Sequence, residues 1–150
     1  MDMMEKLSLA GLVPVIKVED AADAVPLCRA LSKGGLPVAE ITFRTDAAEE
    51  AIRRVHEELP EVMLGAGTVL TKEQVDRAVA AGAAYIVSPG LNREIVRYCR
   101  EKGVQNIHSN LRTKTTNMQK SMQIKPNRMI PNGFPVAKTF ADVKPLLLDY

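Results

Sequence analysis

One pattern recurs along the first hundred residues and restricts the fold more than any other feature of the chain. A short run rich in branched apolar residues is followed by a capping residue, an amphipathic stretch and a Gly or Pro stop. Then the pattern begins again. The apolar runs are VPVIKV (13–18), VAEITF (38–43), EVMLGAGTV (61–69, a strand with its exit loop) and AYIVSPG (84–90), spaced about two dozen residues apart. Between them, Asp20 is placed to cap a helix stopped by Gly34, with Pro26 inside it as a point where the helix begins or kinks. Asp46 is placed to cap 47–59, whose Ala48, Ile52, Val55 and Leu59 form one apolar stripe that Pro60 ends. Thr71 and Gln74 have the spacing of a capping box, with Gly82 as the stop, and Asn92 is placed to cap a last helix that Gly103 ends.

Strands alternating with helices at this interval predict right-handed βαβ units and a parallel sheet. Two architectures fit: an open doubly wound sheet, or part of a (β/α)8 barrel. In both, ligands gather at the C-terminal ends of the strands. The second strand carries Val38, Glu40, Thr42 and Arg44 on one face and Ala39, Ile41 and Phe43 on the other. An edge strand with one wet face would be polar along its length. Here polarity collects at one end, where Glu40, Thr42, Arg44, Thr68 and Ser88 all sit, and this favours a site.

A buried carboxylate facing an arginine can serve as a general acid or base, its pKa set by burial and by the neighbouring charge. Arg44 can grip a carboxylate or phosphate with its fork of donors. The GAGT turn (65–68) exposes backbone donors beside the Thr68 hydroxyl, an anion cradle, although taken alone it is also an ordinary turn. It lacks the third glycine of a dinucleotide fingerprint.

Composition excludes several classes. No apolar run approaches the ~20 residues of a membrane span, and MDMMEKLSLAG has acidic residues where a secretory signal would be basic, so a cytoplasmic chain is expected. Cys28 and Cys99 have no ligand spacing and read as two buried free thiols, and His56 and His108 have no partners at ligand spacing, so no metal site is expected. Residues 1–104 hold 13 Lys and Arg against 16 Asp and Glu, whereas 105–150 hold 7 against 2, with no Glu, five of the six Asn and two Ala. The basic residues of this tail are scattered and have no motif among them, which argues against nucleic acid.

The stretches VPVI, GGLPVAEITFRT, AIRRV, VMLGAGTVLT and AVAAGAAYIVSPGLN resemble the N-terminal half of the 2-keto-3-deoxy-6-phosphogluconate / 4-hydroxy-2-oxoglutarate aldolases, over about residues 12–104. The resemblance implies a homotrimer of (β/α)8 TIM barrels, a lyase of the Entner–Doudoroff type with no cofactor, and a small keto acid as substrate. Such an enzyme splits its substrate to pyruvate and an aldehyde through a lysine Schiff base. Carried onto this chain, the resemblance makes Glu40 the general acid/base, gives Arg44 and Thr68 the pyruvate carboxylate, and makes Pro89 a wall of the pocket.

After residue 104 the family's fifth strand, its sixth strand with the Schiff-base lysine and its glycine-rich phosphate loops are not recognisable. A closed barrel takes roughly 200 residues. The expected organisation is therefore α/β, a partial barrel of about four βα units over 1–104, followed by a tail (105–150) less ordered than the rest. The break in composition suggests a truncated, frameshifted or fused chain. The Schiff-base lysine is unassigned. Lys17 has the parity of Val13 and Val15 near the end of the first strand, and Lys138 lies in a loosely strand-like FPVAKTF. Besides an impaired aldolase, a non-enzymatic half-barrel remnant and a small anion-binding α/β module fit the sequence.

Overall fold

The first four strands are largely buried and the helices bury one stripe each, and that difference in pattern decides the layering. The computed structural model describes residues 3–108. Its elements are α1 (Met3–Ala10), β1 (Val15–Ile16), a single 3-10 turn (Ala21–Asp23), α2 (Ala24–Lys33), β2 (Val38–Thr42), α3 (Ala48–Glu58), β3 (Met63–Gly67), α4 (Lys72–Ala80), β4 (Tyr85–Ser88), α5 (Arg93–Glu101) and β5 (Gln105–His108). All neighbouring strands pair in parallel, in the order β1-β2-β3-β4-β5.

Strand order that follows chain order is the arrangement of a barrel wall. A doubly wound sheet reverses direction at a switch point, and this one does not. One face, with Ala39, Ile41, Leu64, Ala66 and Ile86, packs against Cys28 of α2, Ile52 and Val55 of α3, Val75 of α4 and Ile95 of α5. The other face carries Val38 and Tyr85, and Leu7 of α1 closes onto them. β2 is interior and all five of its residues are buried, so the wet-edge reading of this strand is excluded.

Local signals placed most boundaries. Thr71 and Gln74 form the full capping box of α4, and Asn92 Oδ1 accepts from the Glu94 and Ile95 amides at the start of α5. Pro26 sits in the first turn of α2, which starts two residues earlier at Ala24, and there its missing N–H is not needed. Both cysteines are free and buried, and burial pushes the Cys28 thiol up to about 12.

Three details differ from expectation. α3 begins after Ala47 and makes no side-chain cap, so Asp46 is not its cap. Glu49 and Glu50 stand in its first turn instead and suit the positive end of the helix dipole. β1 shrinks to two residues. Pro14 can only accept, which it does from the Glu40 amide (2.8 Å). The Ile16 carbonyl also accepts from the Thr42 hydroxyl (3.1 Å), and beyond β1 the Val18 carbonyl accepts from the Thr45 hydroxyl (2.6 Å).

The sheet also runs past residue 104. QNIH has no apolar alternation, yet its backbone pairs with β4, Tyr85 opposite Gln105 and Ser88 opposite His108. The expectations for the remainder of the tail, including Lys138, lie outside the described residues. Among the described residues no helix is long and apolar enough to cross a membrane.

Candidate functional site

The face opposite α2 to α5 is where β2, β3 and β4 offer Glu40, Gly65, Gly67 and Tyr85. Parallel register sets Glu40 beside Gly65, and Gly65 in turn beside Tyr85. The Tyr85 ring lies against bare Gly65, and its hydroxyl crosses over to donate to the Ala39 carbonyl at 3.2 Å. The phenol is pushed well above its ordinary range by burial first and then by the Glu40 charge.

Glu40 is 3% exposed. Its Oε2 is buried and accepts no hydrogen bond from the described residues. Burial lifts the carboxyl from 4.5 to about 7, and Arg44 pulls partly the other way. A carboxyl titrating there exists in both protonation states near neutrality, as a group that both takes and returns a proton requires.

Arg44 leaves β2 at its C-terminal end and is exposed, and its Nε donates to Thr68 Oγ1 at 3.2 Å. Thr68 is the first residue beyond β3 and has φ of 56°, a left-handed conformation that a β-branched residue rarely adopts. The strained turn ends the strand and presents the Thr68 hydroxyl to Arg44. Glu40, Arg44 and Thr68 thus meet at the C-terminal ends of β2 and β3: a poised acid inside, and an open cation with a hydroxyl at the rim.

Other polar residues of these strand ends have their side chains engaged with neighbouring strands. Thr42 spends its hydroxyl on the Ile16 carbonyl, and Ser88 Oγ accepts from Asn106 Nδ2 at 3.1 Å. Pro89 is exposed and lines a shallow cleft with Val69, Leu70 and Leu91, just past Thr68. Glu40 and Arg44 do not line that cleft. Lys17 is half exposed and its Nζ lies 2.5 Å from Glu19 Oε1. Tyr85 is the site residue that motif reasoning passed over, although the parity of AYIV would have found it, and Gly67 entered only as part of the GAGT turn and not as a neighbour of Glu40.

A model of the KDPG and KHG aldolase family matches residues 3–138, reaching beyond 12–104 on both sides and so including α1 and β5. The chain is 49% identical over 102 residues to a 2-dehydro-3-deoxy-phosphogluconate aldolase of Treponema pallidum, covering 68% of this chain and 49% of that protein. A Haemophilus influenzae protein of the same name is 48% identical over 99 residues, covering 66% and 47%.

Among solved structures, the 2-keto-3-deoxy-6-phosphogluconate aldolase of Zymomonas mobilis ZM4 with 3-phosphoglycerate superposes with a TM-score of 0.66 at 39% identity, covering 71% of this chain and 51% of that one. The KDPG aldolase of Legionella pneumophila, with pyruvate captured as a covalent carbinolamine, gives 0.62 at 38%, covering 65% and 48%. The chain spans about half the length of the curated relatives it matches. With its sequential parallel sheet and this constellation at the strand ends, the chain belongs to the KDPG and KHG aldolase family.

Proposed function

We propose that residues 3–108 carry the proton-transfer and carboxylate-binding part of a class I aldolase site. That site acts on 2-keto-3-deoxy-6-phosphogluconate or 4-hydroxy-2-oxoglutarate. The observation that carries this reading is Glu40: a buried carboxyl, raised to about 7, with one oxygen unpartnered and an arginine alongside. In retro-aldol cleavage a base takes the proton of the C4 hydroxyl, the C3–C4 bond breaks, and its electron pair moves toward an iminium at C2. The aldehyde leaves, and the same acid then returns a proton to C3 to give the pyruvate unit. Glu40 is the group with the protonation behaviour for both transfers. Arg44 and Thr68 hold the keto-acid carboxylate at the rim, and Pro89 walls that side.

The attacking amine is a separate matter. A lysine that adds to a ketone has to be neutral, through desolvation or a neighbouring cation. Lys17 has neither, being open to solvent and paired with Glu19. We therefore assign the described residues binding of the keto acid with little or no turnover by themselves, which also accommodates the reading as an anion-binding module. Pyruvate with borohydride, followed by intact mass, tests the turnover part: no adduct is expected, and a stoichiometric adduct on Lys17 or Lys138 overturns it. Pyruvate titration followed by NMR tests the binding part. Shifts at Arg44 and Thr68 that vanish in Arg44→Ala are expected, and their absence refutes the assignment.

A further inference from the structure

β3 reads Met63–Gly67, MLGAG, with glycine at both positions that face Tyr85 and Glu40. Glycine weakens a strand interior, so two in five residues ask for a reason. Backbone conformation is not that reason at Gly67, whose φ lies outside the left-handed region and suits any residue. Space is the reason. A methyl group on Gly67 would stand 2.7 Å from Glu40 Cδ and 2.9 Å from Cγ, and closer still to Oε1. Such contacts do not occur between real atoms, and three atoms of the side chain are involved, so a small shift of the tip would not relieve them.

Register explains how the carboxyl reaches that spot. Glu40 pairs with Gly65, whereas Gly67 is one pleat further along and pairs with Thr42. The Glu40 side chain therefore leans toward the strand's C-terminal end, and its carboxyl lies over Gly67, one residue before the strained Thr68. We propose that Gly67 is a positioning residue. Its missing side chain is the seat that keeps the Glu40 carboxyl dry and aimed at the strand exit, where Arg44 and Thr68 meet. The proposal deepens the reading of Glu40 as the acid/base and rests on it for its catalytic meaning.

Among the described residues, the groups around the carboxyl leave few other controls. Tyr85 of β4 faces it but commits its hydroxyl to Ala39, Arg44 approaches from the β2 exit, and β3 contributes no charge. Just past β1, Lys17 is exposed and bonded to Glu19, and α1 packs through Leu7 while Glu5 and Lys6 are exposed.

The test is the titration of Glu40 in the full chain, followed by NMR of carboxyl-labelled glutamate and assigned by the resonance lost in Glu40→Gln. Gly67→Ala is expected to drive the carboxyl outward and to bring its midpoint from near 7 down toward 4.5, by at least about one pH unit. An unchanged midpoint overturns the proposal. Should Gly67→Ala fold poorly, its unfolding cost is compared with its cost in a Glu40→Ala background. A penalty that disappears without the carboxyl supports the seat, and an equal penalty in both backgrounds overturns it. Neither readout depends on pyruvate, so failure of the aldolase reading would show in the pyruvate experiments and leave this result standing.

Discussion

Glu40→Gln isolates the energetic cost of keeping an acid inside this sheet. In the unfolded chain the carboxyl titrates near 4.5, and in the fold near 7, because ionising it means placing a charge where water does not reach. Below pH 4.5 both states hold the proton and the group is neutral in its linkage. Between 4.5 and 7 the unfolded chain has released the proton while the folded chain keeps it, so stability falls as pH rises. Above about 8 the loss is complete. At about 1.4 kcal/mol per pH unit the full cost is about 3 kcal/mol. Glutamine is close to the neutral acid in size and does not ionise. Urea unfolding at a series of pH values should therefore give similar stabilities for the two chains at pH 4. By pH 8.5 the Glu40→Gln chain should lead by about 3 kcal/mol, with most of the divergence between pH 5 and 7.5. Parallel stability curves would mean that the Glu40 carboxyl is hydrated in the native state, and the reasoning about the site would fail with it.

Two further perturbations probe the rim and the scaffold. Thr68→Gly removes a left-handed β-branched residue, relieving about 1–2 kcal/mol of strain against an added entropic cost of about 0.5–1 kcal/mol. Stability should rise by up to about 1.5 kcal/mol while pyruvate binding weakens, because Arg44 Nε loses its acceptor. A large loss of stability would show that the Thr68 side chain holds the turn together. Thr71→Ala breaks the α4 capping box and should lower stability by about 1 kcal/mol in urea unfolding, leaving the Glu40 titration unchanged.

The sequence was most informative where the physics is local. A cap, its helix and its stop lie within a dozen residues of one another, which is why Thr71, Asn92 and the alternation of strand and helix could be read in advance. Parity along a strand is equally local, and it put Glu40 on one face with Thr42 and Arg44. Asp46 failed because a residue of capping type is only one of several ways to start a helix, and α3 begins after Ala47 with no side-chain cap. QNIH could not be read as a strand because its own residues carry little preference. It becomes one by bonding to β4, some twenty residues earlier in the chain.

The chain's own pattern thus determined a parallel βα succession with an acid and a base at the end of its second strand. Tertiary structure decided what those two groups can do. Pairing β2 with β3 brings residues 40 and 44 to residues 65–68, and this fixes Arg44 on Thr68, strains Thr68, and lays the Glu40 carboxyl on a glycine. None of those contacts is visible in a window of a dozen residues. Burial, and hence a carboxyl poised near neutrality, is a property of the closed layers on both sides of the sheet and not of the glutamate itself.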